Sequence, residues 1–370
     1  MKRFAILSIL ILISLGCLWF TFRNVNFGEV MSMITSKASS WPWFLVSGMV
    51  MMMNIIFRGF RYHRILASVP EVSLKRCITI TSIMFLGNSI LPLRAGEAIR
   101  VYLPYRLYSI PLATSMAFHG ADRLFDMIAM LVLLTLSLWF AGDTIAPAAR
   151  THPVEMFGHS YTFDGLVELA QGSSILILLV GLGGILAVCL IPEQLKRFMG
   201  FFSRPLGERW LRATNGFVDH LHSGIAVFRN PRDFILGGFW TFLLWWMVIL
   251  NVQILSGVFG VDLTWAQAGM VVFLVAVAVS LPQAPGYVGP FHLGFQMSLS
   301  ICFGVAIPTA TAIAYLAHFF QIVPVILLGF ICMSIEGISF SSFTEAQQTL
   351  KPNRSKIRPD PHHCHFGGRL

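Results

Sequence analysis

Two stretches of this chain place charged side chains at helical spacing inside apolar surroundings. The first is GNSILPLRAGEAIRVYLPYR, residues 87–106, where Arg94, Glu97 and Arg100 follow an apolar run ending at Ile90 and Leu91. Pro92 suits the first turn of a helix. At 3.6 residues per turn, the three charges then fall within about 120° of one face. An arginine near a helix N-terminus opposes the macrodipole unless an anion or carboxylate sits with it. A phosphate fits such a place, because free amides at the helix start and a guanidinium fork both suit its oxygens. An Arg94–Glu97 or Glu97–Arg100 ion pair that pins the turn is the alternative, and the two readings are compatible.

The second cluster is HGADRLFDMIAML, residues 119–131. His119, Asp122, Arg123 and Asp126 lie at i, i+3, i+4 and i+7, one stripe about 100° wide on a helix. Ionisable residues within an apolar span are functional candidates by default. Two acids and one base here face two bases and one acid in the first cluster. Mutual pairing that closes a bundle is therefore the structural alternative to direct contact with a ligand. Two further histidines sit in apolar stretches, His292 and His318. Histidine titrates near neutrality, so these and His119 are candidates for proton coupling, with hydrogen-bonded packing as the plainer reading. The tail motif HHCH, 362–365, resembles metal ligands. With no ordered element expected around it, it reads as a disordered tail, and no metal or other cofactor is expected.

The elements that must position these groups are membrane helices. The chain is 56% hydrophobic and 12% charged, against about 25% charged in a typical soluble domain. Only helices and closed barrels satisfy every backbone group in lipid, and the period-two alternation of a barrel is absent. Clear apolar spans cover about 4–22, 41–57, 112–140, 173–191, 234–258 and 309–333, and weaker ones 77–91, 265–281 and 290–304. Met1-Lys2-Arg3 ahead of an apolar run resembles a signal peptide, but no small-residue cleavage site follows, so an uncleaved first helix is expected. The six cysteines form no CxxC pair, which argues against zinc or a disulfide framework. The net charge of +9 reflects basic loops, not nucleic-acid binding. The loops 58–76 and 192–233 and the tail 341–370 are rich in Lys and Arg, whereas 141–172 is acidic. By the positive-inside rule the first three are expected in the cytoplasm and the fourth outside. Residues 194–212 mix Lys and Arg with Phe198, Phe201, Phe202 and Trp210, as a helix lying on an anionic leaflet does.

Counting crossings places every loop on its preferred side only if 77–91 dips into the membrane and returns. A full crossing there would put Arg94, Arg100 and Arg106 outside and the acidic loop inside. The second break, LPQAPGYVGPFHLG at 281–294, holds Pro285, Gly286, Gly289 and Pro290, which cannot all sit in one regular helix. By parity it opens from the outer side. The expected fold is an all-α polytopic membrane protein, a helical bundle with two re-entrant hairpins from opposite faces and an inverted repeat as a corollary. Residues 1–340 form the transmembrane domain, and 341–370 a basic, disordered cytoplasmic tail. Pro92 and Gly96 mark the first turn, and Pro285, Gly286, Gly289 and Pro290 the second.

GNSILPLRAGEAIRVYLPYR, the following DRLFD, LPQAPGYVGPFHLGF and AIAYLAHFF together resemble the flippase-like integral membrane family. This is the transmembrane region of lysylphosphatidylglycerol synthases, the UPF0104 group, here in a stand-alone form without the soluble synthase domain. The resemblance covers roughly residues 4–335. It implies a helical bundle with re-entrant hairpins and movement of lipids between leaflets. By position it puts the family's Asn, Pro, Arg, Gly and Glu on Asn88, Pro92, Arg94, Gly96 and Glu97, with the trailing Arg on Arg100. Asp122 and Asp126 resemble its acidic pair. The chain departs from the pattern at His292, where the family usually has Glu, and at His318, where it usually has Arg.

The leading expectation is a lipid translocator in the cell (inner or plasma) membrane, with both termini cytoplasmic. Asn88, Arg94, Glu97, Arg100, Asp122, Arg123 and Asp126 would meet the headgroup of an anionic phospholipid or isoprenoid-linked lipid. A membrane-embedded transferase using a polyprenyl-phosphate donor is the alternative, and an accessory partner of a lipid-synthesis enzyme a third. No soluble catalytic domain or strong catalytic motif is visible, so the chain is not expected to be an enzyme.

Overall fold

A computed structural model describes residues 12–21, 23, 25–69, 71–91, 94–144, 191–203, 230–280 and 284–349, with 154–156, 159–161, 168, 172–173, 175–180, 183 and 207–208 between them. The architecture is helical. In chain order the helices are α1 (Leu12–Thr21), α2 (Phe27–Ser36), α3 (Trp41–Ile65), α4 (Leu74–Ile90), α5 (Gly96–Tyr108) and α6 (Leu112–Ala141). They continue with α7 (Pro192–Ser203), α8 (Pro231–Val258), α9 (Trp265–Ala278), α10 (Pro290–Met297), α11 (Ile307–Ile335) and α12 (Ser341–Thr349). A two-stranded antiparallel ribbon, Val154–Met156 against His159–Tyr161, lies in the segment expected as the acidic loop. Most of the apolar span expected at 173–191 lies outside the described residues, as do Pro92 and the HHCH motif.

Local chemistry sets the helix starts. Pro231 occupies the first turn of α8, and the Asn230 side chain accepts from the Arg232 amide. Ser73 does the same for Arg76 at α4, and Thr264 and Gln267 close a reciprocal capping box on α9. Such caps satisfy amides that the first turn leaves unpaired.

Four helices are long and apolar enough to cross a membrane: Ala38–Ile65, Leu112–Ala141, Pro231–Val258 and Ile307–Ile335. Sequence hydropathy ends the second span at residue 57 and reads 58–76 as a basic loop. The helix instead runs eight residues further, because Arg58 and Arg61 turn into the bundle and meet carboxylates there. α8 lies antiparallel to α3, with contacts running from Arg64–Asp233 through Arg61–Thr241 and Asn54–Leu244 to Ser47–Asn251. Phe125 on α6 stacks on Phe234, and Phe140 reaches Trp265. α11 meets α3 at Phe44–Phe320 and the start of α4 at Arg76–Glu336. One end of the bundle thus gathers Ile65, Leu74, Leu112, Pro231 and Ile335; the other gathers Trp41, Ala141, Val258, Trp265 and Ile307.

Between these long helices lie two helical hairpins. α4 and α5 fold back on each other, with Gly87 against Gly96, Met84 Sδ 3.5 Å from Arg100 Nη1, and Tyr108 returning to the vicinity of Arg76 and Cys77. Gly96 is required at the crossing, since a Cβ there would fall on the Met84 carbonyl. The second hairpin runs down α9 and back through α10, with Gly294 against Ala278 and the π-turn residue Cys302 packed near Met270 and Leu274. The first hairpin enters from the Ile65 end and the second from the Trp41 end. Their limbs hold 17, 13 and 14 residues in α4, α5 and α9. At 1.5 Å per residue these measure about 20–25 Å, short of the roughly 30 Å hydrocarbon core.

The two tips meet inside the bundle. Gly286 lies against the Ser89 carbonyl, and Arg94 Nη2 donates to the Val279 carbonyl at 2.7 Å. Each hairpin has its own apolar core: Ile80, Ile83, Leu86, Ile99 and Leu103 in the first, and Phe291, Phe295, Leu299, Ile313 and Ala314 in the second. α12 covers the outer face of the first, burying Phe343 and Ala346 and tying Glu345 to Tyr102 (2.8 Å) and Arg106 (3.4 Å). The tail expected to be disordered from residue 341 therefore begins with a packed helix through Thr349, while 350–370 lie outside the described residues.

Candidate functional site

Beside the meeting tips lies a charged cluster drawn from four helices. The stripe on α6 is arranged as its spacing predicts, with Asp122 fully buried and Asp126, His119 and Arg123 increasingly open. Asp122 Oδ1 accepts from Arg61 Nε at 3.0 Å and lies 3.1 Å from Arg100 Nη2, and its Oδ2 accepts from Arg123 Nη2 at 2.9 Å. Asp126 Oδ1 accepts from Arg61 Nη1 at 2.7 Å and from Trp245 Nε1 at 3.2 Å. Its Oδ2 sits 3.4 Å from Arg58 and 3.5 Å from Arg123. Arg58 is held between the Phe85 and Trp245 rings, 5.1 and 5.3 Å from their centroids, and donates to Asn54. A cation over an aromatic face gains from the ring quadrupole, which compensates part of what Arg58 loses on leaving water.

The first motif divides differently from its sequence reading. Helix α5 begins at Gly96, so Arg94 precedes it in a left-handed backbone conformation (φ 51°) and does not share a face with Glu97 and Arg100. Neither expected ion pair forms. Glu97 instead lies 2.8 Å from His119 Nε2 and 3.8 Å from Arg123, and accepts from Asn88 at 3.3 Å. Arg100 is wholly buried, paired with Asp122 and stacked 4.0 Å over the Tyr62 ring. Arg100 thus has no exposed side-chain surface in this structure, and its pairing with Asp122 closes the two clusters on each other. In an interior that screens charge weakly, opposite charges brought this close attract strongly. Arg94 remains exposed at the tip contact, 6.0 Å from the Tyr287 ring.

In the second turn, Gly286 (φ 73°) and Gly289 (φ 96°) adopt the left-handed conformations that favour glycine. Pro285 opens the short turn and Pro290 the first turn of α10. Tyr287 shares the positive φ at 61° without being a glycine. Two imidazoles brace this strained loop: His318 Nε2 donates to the Gly286 carbonyl at 2.7 Å, and the Gly289 amide donates to His292 Nδ1 at 3.4 Å. Their rings lie 4.5 Å apart, next to Tyr315 and Phe291. The pair is brought together, at the second tip and not in the charged cluster where His119 lies.

Sequence reasoning missed Arg58, Arg61 and Trp245. The signal was present in Asn54, Arg58 and Arg61, spaced at i, i+4 and i+7 on one helix face. Among the described residues, the cluster holds four guanidiniums (Arg58, Arg61, Arg100, Arg123) against three carboxylates (Glu97, Asp122, Asp126), one positive charge in excess. Arg123 is its most open member, about one third exposed, and its Nε is buried without a hydrogen-bond partner.

Comparison with known proteins bears on these residues. The family model described as "Lysylphosphatidylglycerol synthase TM region" matches residues 6–329. A curated relative, "Glycosyltransferase AglD" of Haloferax volcanii, is 24% identical over 316 residues, covering 81% of this chain and 50% of its own length. The chain thus spans about half the length of the relative it matches. That name overturns the expectation of no enzymatic role: this stretch of sequence has a counterpart within a protein named as an enzyme.

Proposed function

The chain belongs to the lysylphosphatidylglycerol synthase TM-region family, and from that premise we propose that it binds phosphate-bearing lipid headgroups and passes them between bilayer leaflets. The two hairpins then dip into the bilayer from opposite faces, and their tips frame the path beside the charged cluster. The excess positive charge carries this reading. A buried guanidinium group without its counter-charge is costly, and a lipid phosphate supplies the missing anion at the half-open Arg123. Arg94, exposed at the tip, is the second donor, and Asn88, Glu97, Asp122 and Asp126 hold the arginines in place. The end of the bundle that gathers Arg64, Lys75, Arg76, Arg106 and Arg232 faces the cytoplasm of a cell-membrane protein by the positive-inside rule, which puts both termini on that side.

The test is reconstitution of the full chain into liposomes with fluorescent phosphatidylglycerol, quenched from outside by dithionite. Quenching of the inner-leaflet probe should accelerate with the wild type and fall at least about tenfold with Arg123→Gln, the loss of one charge-assisted contact. Equal rates in empty and protein-containing liposomes would sink the proposal. The relative's name favours a second reading, in which the same site holds a lipid-linked phosphate as the donor for sugar transfer. Incubation with a radiolabelled polyprenyl-phosphate sugar separates the two, since only a transferase makes a new glycosylated product.

A further inference from the structure

Where the two hairpin tips meet, the chain holds a contact that a phosphate can undo. Resting on the headgroup reading above, we infer that this contact is a latch opened by the lipid itself: its phosphate takes the Arg94 guanidinium from the Val279 carbonyl, and the tips separate. In the closed form Arg94 Nη2 donates to that carbonyl at 2.7 Å, and Gly286 lies against the Ser89 carbonyl. Arg94 and Tyr287 both hold positive φ, 51° and 61°, and the guanidinium sits 6.0 Å from the tyrosine ring. Among the described residues only one other non-glycine residue, Ser109, has a positive φ, so strain of this kind is concentrated where the tips touch. Left-handed conformations outside glycine persist where surrounding contacts hold them, and they cluster at ligand clamps and switch regions.

Three features make the contact reversible. The apolar cores of the hairpins are separate, one built on Ile80, Leu86 and Leu103 and the other on Phe291, Phe295 and Ile313, so the tips can part without opening either. The second tip has braces of its own, His318 on the Gly286 carbonyl and the Gly289 amide on His292, and keeps its turn without Arg94. Arg94 itself is exposed, so an anion reaches it without displacing a buried side chain. The acceptor it now holds is a neutral carbonyl. Hydrogen bonds to an ionised acceptor are roughly twice as strong, and arginine grips phosphate through two parallel bonds. A ligand shifts an equilibrium only by its differential affinity for the two forms. Here the difference is the guanidinium, engaged by Val279 in the closed form and free for phosphate in the open one.

Amide hydrogen exchange of the full chain in detergent tests this, with dioctanoyl phosphatidic acid, dioctanoylglycerol or inorganic phosphate added and the melting of the same samples read alongside. Phosphatidic acid should speed exchange across residues 284–289 by at least about threefold, as the open form gains population. Dioctanoylglycerol, with the same chains and no phosphate, should leave it unchanged. Arg94→Gln should exchange without lipid at about the rate of the lipid-bound wild type and gain nothing from phosphatidic acid, since the link is already gone. Slower or unchanged exchange in the wild type, alongside a raised melting temperature, would overturn the latch and leave the headgroup reading intact. No melting shift with phosphatidic acid would overturn the headgroup reading itself. Inorganic phosphate opening the tips as fully as phosphatidic acid would overturn the lipid as the trigger. A folded Arg94→Gln that exchanges as slowly as lipid-free wild type would refute Arg94 as the link. The wild-type comparison of the two lipids decides the matter even where Arg94→Gln does not fold.

Discussion

Replacing Asp122 by asparagine removes the carboxylate that three guanidiniums share. Arg61 and Arg123 retain Asp126 as a partner, but Arg100, whose side chain is completely buried, is paired with Asp122 itself. Stranding a buried charge in this way costs about 3–5 kcal/mol. The reciprocal change, Arg100→Met, leaves Asp122 with Arg61 and Arg123. It forfeits mainly the stacking on Tyr62 and some packing, about 1–2 kcal/mol. The smaller effect should thus come from deleting the larger side chain. In the Arg100→Met background, Asp122→Asn no longer strands that arginine, so the double variant should fall short of additivity by roughly 1–3 kcal/mol. At about 2 °C per kcal/mol for a large domain, Asp122→Asn lowers the melting temperature by roughly 6–10 °C and Arg100→Met by roughly 2–4 °C. Melting in detergent, followed by the fraction of protein that still elutes as a monodisperse peak, reads all four species of the cycle. Wild-type melting of Asp122→Asn, or a greater loss in Arg100→Met, would refute the assignment of Asp122 as the hub and Arg100 as its dependent.

Two more perturbations probe the same architecture. Gly286→Ala places a side chain at a positive φ, costing about 1–2 kcal/mol, and should accelerate proteolysis within residues 280–290 more than anywhere else. Single cysteines at Ser109 and Asp262, in a background lacking the six native cysteines, should label with an impermeant maleimide from opposite faces of the membrane, while Val72 and Ser109 should label from the same face. A Val72–Ser109 pair on opposite faces would eliminate the inserted-hairpin topology.

The sequence by itself determined the class of molecule, most of the long helices and where the regular structure breaks. Those features rest on local quantities: runs of apolar residues long enough to cross a membrane, prolines and glycines that interrupt them, and caps such as Asn230 and Thr264. It also determined the stripe of His119, Asp122, Arg123 and Asp126, because helical period alone puts those residues on one face. Only the tertiary structure decided what that stripe meets. Hydropathy ended α3 at residue 57, since Arg58 and Arg61 look like loop residues until carboxylates 61 to 68 positions away are seen to neutralise them. Arg94 and Arg100 look equivalent in the motif. One lies at a turn tip, against a carbonyl 185 residues distant, and the other is sealed in the core by Asp122. The meeting of the two tips is likewise invisible to any local pattern, because nothing near residue 89 announces Gly286. Charge in a low-dielectric interior is stabilised by whichever opposite charge the fold brings within about 3–4 Å, and that choice is made by packing, not by proximity along the chain.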